Sequence, residues 1–318
     1  MEVYKEIEVF QALSMKNLTF VSNLAIDTIS GSDGIITSSL GGPPCYGGLM
    51  ALELGISPSL VTRFGNDLNE DDMIALKNSG LILKSSCISD LATTRFRIEC
   101  LGADRRLYLQ SKCDIVRLED VLHAKTDGWL VSPILDEVPP LVLDYIRSNP
   151  GHHNFILLDP QGYTRAVDQE GMISIRTDVD LELEGVTAIK LDPLELGSLT
   201  GGLSGQSGIR KIHDHYGIKF VLFTQENTIH VSDGRTDYWL LLPKKNSPDS
   251  TGIGDILSSS FTCTYLKEKD LVWAFCFAVG AASASLESGN RGLNKIPSYS
   301  MVEENASYFY NALSFAKL

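Results

Sequence analysis

The 318-residue sequence lacks the features of several protein classes. No apolar run approaches the roughly 18 residues of a membrane span, so we expect no membrane partner. The first residues carry acidic side chains and no apolar segment typical of a signal peptide. The six cysteines form no CxxC pair and have no zinc-finger spacing from a histidine, which predicts reduced thiols and a cytoplasmic protein. Residues 1–14 precede the first clear strand, and whether they form an extension or a docked element stays open.

Basic residues are scarce. The sequence has 27 Lys and Arg against 40 Asp and Glu, a net charge of −13, and no basic stripe. Such a chain repels the phosphate backbone, so we expect no nucleic-acid polymer as a partner. A small anionic ligand would need a local anion site that works against the overall field.

Apolar strand-like runs alternate with helical patterns along most of the chain. This alternation predicts an α/β fold, a doubly wound and mainly parallel sheet, in one domain over residues 1–318. Segments 27–41 and 93–110 interrupt the alternation and predict a small second sheet. A hairpin over 228–242 is expected at the edge of the main sheet. The predicted strands cover 18–26, 59–64, 128–132, 155–159, 186–191 and 220–224, and the predicted helices cover 46–54, 71–79, 139–148, 207–216, 255–267 and 271–286.

The segment PDSTGIGDILSSSF at 248–261 is the most informative one. A Gly-x-Gly loop opens an apolar helix, so the N–H groups of Gly252, Ile253 and Gly254 would form an anion site at the helix N-terminus. Asp255 follows in the first turn, where a carboxylate can take a proton from a hydroxyl that attacks phosphorus. A plain glycine-rich turn before a helix is the alternative interpretation.

Two familiar phosphate-binding motifs are absent. No GxxxxGK[ST] string occurs, which excludes a Walker loop. A dinucleotide fingerprint would need a third glycine where Leu257 stands, and it belongs to the first βα unit rather than to the end of a chain.

DSTGIGD at 249–255 resembles the Asp-Thr-x-Gly-Ala-Gly-Asp signature of the ribokinase-like carbohydrate kinases, the PfkB family. Four further segments resemble other motifs of that family, in the family's order. They are SNLAID at 22–27, GGPPCYGGLMALELG at 41–55, TRFGND at 62–67 and DPLELGSLTG at 192–201.

The resemblance implies an enzyme that transfers the γ-phosphate of ATP to a hydroxyl of a sugar, a nucleoside or a polyol such as inositol. Mg²⁺ is the implied cofactor, and a monovalent cation such as K⁺ is a further one. The two interrupting segments would form a β lid over the sugar, and a homodimer could form through this lid. The implied roles are base for Asp255, anion hole for Gly252, Ile253 and Gly254, sugar contact for Asp27 and Gly42, and support of Mg²⁺ and phosphate for Glu195.

The positions at which this sequence differs from the family motifs lead to further predictions. Tyr46 stands where the family usually has a sugar-binding Asn; we assign it a pocket role, with simple packing in the core as the alternative. Asp192 replaces the Asn of Asn-x-x-Glu and is expected to bind metal more directly. The family's Thr-x-Gly reads Thr224-Gln225-Glu226, which keeps Thr224 as a nucleotide contact but puts a strict preference for ATP in question.

Three polar side chains outside these motifs are further candidates. Gln161 follows a strand at its carboxyl end, where α/β proteins bind ligands, and is a substrate candidate. Arg165 could reach a phosphate of the nucleotide. Arg97 could clamp an anionic substrate, although a solvated charged hairpin explains the arginines at 95, 97, 105 and 106 equally well.

Two functions therefore follow from the sequence. The first is an ATP-dependent kinase with Asp255 as general base. The alternative is a non-catalytic nucleotide or sugar sensor on the same fold, suggested by the altered motifs. The retained Asp255 argues against the sensor, because a sensor needs no base.

Overall fold

A computed structural model describes residues 16–30, 34–101, 104–149, 155–243, 247 and 249–318, without the side chains of 100, 101, 104 and 105. The prediction left open for residues 1–14 lies outside this part of the chain. The α-helices are α1 Pro43–Glu53, α2 Glu70–Asn78, α3 Pro140–Ser148, α4 Gln161–Thr164, α5 Pro193–Thr200, α6 Gly205–Tyr216, α7 Ile253–Glu268, α8 Leu271–Glu287 and α9 Tyr299–Ala312. The strands are β1 Asn17–Val21, β2 Ala25–Ser30, β3 Ile36–Gly41, β4 Ser57–Val61, β5 Phe64–Gly65, β6 Ile88–Ser89, β7 Thr94–Leu101, β8 Asp104–Ser111, β9 Gly128–Val131, β10 Phe155–Leu158, β11 Arg165–Val167, β12 Ile173–Ile175, β13 Ala188–Leu191, β14 Phe220–Gln225, β15 Thr228–Ser232, β16 Thr236–Leu241 and β17 Ser314–Lys317.

The main sheet has nine strands in the order β17-β16-β15-β14-β13-β10-β9-β1-β4. Its strands from β14 to β4 are parallel, and β15, β16 and β17 extend it in antiparallel pairs. Strands β9 and β10 are buried along their whole length, which explains why they read as continuous apolar runs. The predicted doubly wound, mainly parallel sheet is confirmed.

Helices cover both faces of this sheet. Leu130 and Leu157 belong to a core that includes α1, α7, α8 and α9, whereas the next residues, Val131 and Leu158, belong to a core with α3, α5 and α6. Successive side chains of a strand point to opposite faces, so each apolar strand supplies both cores. The main sheet is therefore buried between two hydrophobic cores.

A separate four-stranded sheet has the order β3-β2-β7-β8. It is built from the two segments that interrupt the α/β alternation, as predicted. Phe96 and Ile98 of β7 are buried on one face, while Arg97 between them is exposed. The apolar face of this sheet therefore turns toward the rest of the protein, and its charged face turns away.

The late hairpin, β15–β16, joins the main sheet as predicted, but it is not at the edge. Strand β17, near the end of the chain, pairs with β16 from Thr236↔Lys317 to Trp239↔Ser314. This four-residue strand follows α9 directly and is exposed at every position, so its sequence gives no alternating pattern that would predict it.

None of the helices in the described part of the chain combines the length and the apolar character that a membrane span requires.

Candidate active site

A polar cavity of about 180 Å³ lies between the small sheet and the carboxyl edge of the main sheet. Open α/β sheets place their ligands at this edge, because the loops that follow parallel strands meet there. Predicted and unpredicted residues line it together: Ala25, Asp27, Gly42, Tyr46, Phe96, Ile98, Leu107, Ile134, Asp159, Gln161, Arg165, Lys190, Ser250, Thr251, Gly252, Gly254 and Asp255.

The loop 249–252 leads into α7, and the N-terminus of this helix lies at the cavity. Gly252 ends the loop with a φ of +77°, a conformation that side chains rarely adopt. A Cβ on Gly252 would also lie 2.3 Å from the Tyr46 ring, so only glycine fits here. Gly252 and Gly254 line the cavity, whereas the N–H of Ile253 points back to the Ser250 carbonyl at 3.4 Å. Ile253 thus closes the turn, and the role of Gly252 and Gly254 as an anion hole stays a prediction.

Asp255 lies in the first turn of α7 and is 8 % exposed. Burial raises the pKa of Asp255 to about 7, with Asp159 adding to the rise and Lys190 opposing it. A carboxyl group with a pKa near neutrality is suited to take a proton from an alcohol and to release it again.

Lys190 supplies a positive charge beside Asp255. It lies near the end of β13, and its Nζ is 3.2 Å from Asp159 Oδ2 and 4.0 Å from Glu195 Oε2. Desolvation lowers the pKa of Lys190, but the carboxylates of Asp159 and Glu195 outweigh it and raise that pKa above its ordinary value. The ammonium group therefore stays charged, close to the N-terminus of α7.

Residues of the motifs at 22–27 and 41–55 line another wall of the cavity. Asp27 on β2 is 5 % exposed, and a Cβ on Gly41 would lie 2.2 Å from its Oδ2. Gly42 has a φ of +83°, precedes α1 and leaves no room for a side chain against the Asn23 carbonyl. Tyr46 of α1 is fully buried, and its ring packs under Gly252. All three predicted residues line the cavity, and Tyr46 also supports the loop.

Gln161 and Arg165 approach from the end of β10. The Arg165 guanidinium donates to Gln161 Oε1 at 2.8 Å and to the Ile134 carbonyl. Gln161 donates to Ser132 Oγ at 3.4 Å, so its amide is oriented from two sides. Among the described residues that line the cavity, Arg165 and Lys190 are the basic ones.

Comparisons with known proteins give the same architecture. No protein-family model matches this chain, and no curated protein matches it. Among solved structures, a pyrophosphate-dependent kinase of the ribokinase family, complexed with a pyrophosphate analogue and myo-inositol, superposes with a TM-score of 0.73 over 88 % of this chain and 95 % of its own at 21 % identity. This chain has the ribokinase fold.

Two further ribokinase folds superpose over nearly their whole length. Ribokinase from Cryptococcus neoformans in complex with ADP gives a TM-score of 0.71 at 19 % identity, over 92 % of this chain and 99 % of its own. A fructokinase double mutant from Vibrio cholerae, in its fructose-, ADP- and potassium-bound form, gives 0.71 at 15 % identity, over 92 % and 99 %. The fold expected from the motif resemblance is confirmed.

This ribokinase fold does not bring every candidate to the cavity. Arg97 is on the outer face of the small sheet, where it stacks 4.4 Å from the Tyr108 ring centroid and pairs with Glu99 at 2.8 Å. Because β7 is pleated, the neighbours of Arg97 face the cavity and Arg97 cannot. The structure therefore places Arg97 outside the cavity, on the face of β7 that turns away from it. Arg95 pairs with Asp67, and Arg106 is exposed, which fits the solvated hairpin.

Asp192 and Glu195 form a reciprocal cap on α5 instead of an evident metal site. Asp192 Oδ1 accepts the N–H groups of Leu194 and Glu195, both at 2.8 Å, and Glu195 Oε2 accepts the Asp192 N–H at 2.8 Å. Among the described residues no three His, Cys, Asp or Glu side chains could hold a metal ion together. Asp192 Oδ1 is engaged by these two backbone N–H groups, and metal binding by Asp192 stays a prediction.

Thr224 lies at the carboxyl end of β14, outside the residues that line the cavity. Its Oγ1 donates to the Leu191 carbonyl at 3.4 Å, which ties β14 to β13. The following turn places Glu226 at a φ of 52° with its side chain exposed. A nucleotide role for Thr224 stays a prediction.

The sequence motifs missed Lys190 and Asp159 as members of the site. Asp159 follows β10 and is 1 % exposed, and Lys190 is the one charged residue of the β13 strand AIKL. A lysine within an otherwise apolar buried strand is a usable signal, since lysine is almost never fully buried without a partner.

Proposed function

We propose that this protein is a kinase that transfers a phosphoryl group to a hydroxyl of a small polyol or sugar. The observation that carries the proposal is Asp255, a buried carboxyl group beside Gly252 and Gly254 at the N-terminus of α7. A base and an anion site within one helical turn are the parts that phosphoryl transfer asks of a protein.

In the proposed reaction the acceptor hydroxyl gives its proton to Asp255 while its oxygen forms a bond to the terminal phosphorus of the donor. The bond between that phosphorus and the bridging oxygen breaks, and the shortened donor leaves with the electron pair. Backbone N–H groups at Gly252 and Gly254 and the Lys190 ammonium offset the negative charge on the transferred group. Mg²⁺, when bound with the donor, would offset charge on the remaining phosphate oxygens.

The acceptor is proposed to be a polyol such as myo-inositol, or a sugar of similar size. Carboxylate and amide groups of Asp27, Asp159 and Gln161 offer acceptors and donors for several hydroxyls, while Phe96 and Ile98 form an apolar wall. About 180 Å³ suits one small ring rather than a polymer. A nucleoside is the larger alternative within the same class of acceptor.

ATP is the proposed donor, and inorganic pyrophosphate is the second candidate. The specific observation in favour of pyrophosphate is the turn after β14, which carries the exposed carboxylate of Glu226 where the resembled family has the glycine of Thr-x-Gly. A negative charge at that turn opposes a nucleotide phosphate. The similarity to a pyrophosphate-dependent kinase agrees with this candidate.

The test is a matrix of donors and acceptors. Purified protein is incubated with MgCl₂ and either ATP or pyrophosphate, against myo-inositol, ribose, fructose and adenosine, and release of ADP or orthophosphate is followed. We expect acceptor-dependent release with at least one pair. Replacement of Asp255 by Asn should lower kcat by at least about 10²-fold, because the base is lost.

Undiminished turnover by Asp255→Asn would show that another group is the base. Binding of a donor and an acceptor by calorimetry, with no transfer for any pair, would favour the sensor instead.

A further inference from the structure

Lys295 is a fully buried ammonium group that the proposed reaction does not use. It lies at the end of a 3-10 turn, Gly292–Lys295, and is 1 % exposed. Its Nζ is 2.9 Å from Asp249 Oδ2 and donates to the Asp249 carbonyl at 3.2 Å. The same Nζ lies 5.2 Å from the centroid of the Tyr46 ring.

These contacts lead directly into the anion-hole loop. Asp249 Oδ1 accepts the Thr251 N–H at 2.8 Å, and Asp249 Oδ2 accepts the Gly292 N–H at 2.8 Å. Tyr46, on which the ammonium lies, is the side chain that packs under Gly252. Lys295 thus contacts both supports of the loop, namely the Asp249 turn on one side and the Tyr46 ring on the other.

A buried ammonium is costly to desolvate, so its oxygen ligands and an aromatic ring have to stabilise it. A carboxylate oxygen, a carbonyl oxygen and an aromatic face are also the surroundings that a bound monovalent cation would find favourable. A purely structural ion pair would account for the burial but would make no prediction about ions in solution.

We propose that Lys295 acts as a built-in monovalent cation, a positioning residue that holds loop 249–252 in its anion-binding form. The proposal deepens the function proposed above and rests on the same loop. It replaces the K⁺ expected from the family resemblance: the charge is supplied by this chain, so anion binding at Gly252 and Gly254 needs no added monovalent cation.

The test measures anion binding, which needs no turnover. Pyrophosphate is titrated by calorimetry into wild-type protein in tetramethylammonium chloride, sodium chloride, potassium chloride and ammonium chloride at equal ionic strength. We expect the same Kd in all four salts. A Kd that is at least about threefold lower in potassium or ammonium chloride would overturn the proposal, as would an absence of pyrophosphate binding.

The second arm uses Lys295→Met, which removes the charge and shortens the side chain by one heavy atom. We expect a Kd at least about tenfold higher than that of the wild type in tetramethylammonium chloride, with partial recovery in ammonium or potassium chloride. A folded variant that no cation rescues would overturn the proposal, because a structural pair alone predicts that result. Circular dichroism and Tm establish folding, and the wild-type comparison decides the question if the variant does not fold.

Lys16→Met is the matched control. Lys16 pairs with Asp127 at the amino end of β1, and its side chain is 44 % exposed. Its removal should leave the Kd unchanged in every salt. A wild type that binds pyrophosphate without transferring a phosphoryl group would contradict the proposed kinase and leave this proposal standing.

Discussion

Asp255 illustrates how burial, with a neighbouring carboxylate, can prepare a residue for proton transfer. The group has no cation in direct contact among its described interactions, and desolvation is the main cause of its raised pKa. Lys190 is close enough to oppose this rise but is itself paired with Asp159. The carboxyl group therefore titrates near neutrality instead of at the usual value of an aspartate.

This titration predicts the pH profile of the proposed kinase. Only ionised Asp255 can accept a proton, so kcat/KM should rise about tenfold per pH unit below pH 7 and level off above it. The profile is measured with saturating Mg²⁺ and buffers of constant ionic strength. A kcat/KM that falls between about pH 6 and pH 8 would contradict Asp255 as the base.

The ionisation of Asp255 should also change the free energy of unfolding. Ionisation favours the proposed activity but disfavours the folded state. The pKa of Asp255 is raised on folding from 3.8 to about 7, so the folded state holds the proton more tightly and the wild type loses stability as the pH rises through that window. Asp255→Asn removes this loss. We expect the stability advantage of the variant to grow by roughly 2 kcal/mol between about pH 5 and pH 8 in urea unfolding. A constant difference would mean that the pKa is ordinary.

Lys190→Met tests the positive charge of the site. We expect kcat to fall by roughly 10²- to 10³-fold, because the charge that stabilises the transferred phosphoryl group is lost. The KM of the acceptor should change little, since Lys190 is expected to face the phosphate. A loss confined to the acceptor KM would instead assign Lys190 to the sugar hydroxyls.

At the scale of elements, the turn from Asp249 into α7 depends on residues from three parts of the chain. Tyr46 belongs to α1 and Lys295 to the turn before α9, and both reach a loop that the sequence places far from them. Gly252 connects these contacts, because its missing side chain lets the Tyr46 ring pack beneath the helix N-terminus.

Gly252→Ala should therefore disturb both the loop and anion binding. The new Cβ meets the Tyr46 ring and a φ of +77°, so we expect a loss of about 2–4 kcal/mol in the free energy of unfolding and loss of pyrophosphate binding. The matched control is Gly197→Ala in α5, where no atom lies within 4 Å of the added Cβ. This control should gain about 0.5–1 kcal/mol and bind normally. Equal behaviour of the two variants in urea unfolding would contradict the packing argument.

Some features of the fold and of the candidate site could be predicted from the sequence, and others could not. Apolar runs and a helix-opening Gly-x-Gly loop are local features, so the alternating fold and the cluster at 252–255 were predictable. The residues missed, Lys190, Asp159 and Lys295, act through partners distant in sequence. The alternating pattern of β7 distinguished two faces without indicating which one turns inward, so it could not predict that Arg97 lies outside the cavity. The helix cap made by Asp192 is a local feature that the sequence motif did not indicate.

At the scale of the whole molecule, the protein carries a net charge of −13, yet its candidate site is proposed to bind a phosphate donor. Among the described charged residues that line the cavity, the acidic ones are Asp27, Asp159 and Asp255 and the basic ones are Lys190 and Arg165. Any positive potential at the proposed anion site would thus come from backbone dipoles, the Lys190 ammonium and the Arg165 guanidinium, while the net charge of the protein repels an anionic ligand.

This distribution of charge predicts that pyrophosphate binds more tightly as the ionic strength rises. Raising ionic strength from about 0.02 M to about 0.15 M with tetramethylammonium chloride should screen the outer repulsion more than the buried contacts. We expect the Kd of Mg²⁺-free pyrophosphate to fall by a few-fold in calorimetry. A Kd that rises steadily with salt would show that exposed cations, and not the buried site, attract the anion.

The most direct test of the account is the detection of the product itself. Wild-type protein and Asp255→Asn are incubated with myo-inositol, Mg²⁺ and either ATP or pyrophosphate, and the mixtures are followed by ³¹P NMR; the sugars and adenosine follow as acceptors. We predict a new phosphomonoester signal that needs both donor and acceptor with the wild type, and none above background with the variant. The absence of a phosphomonoester with every pair, from a folded protein that binds the donor, would contradict the proposed phosphoryl transfer.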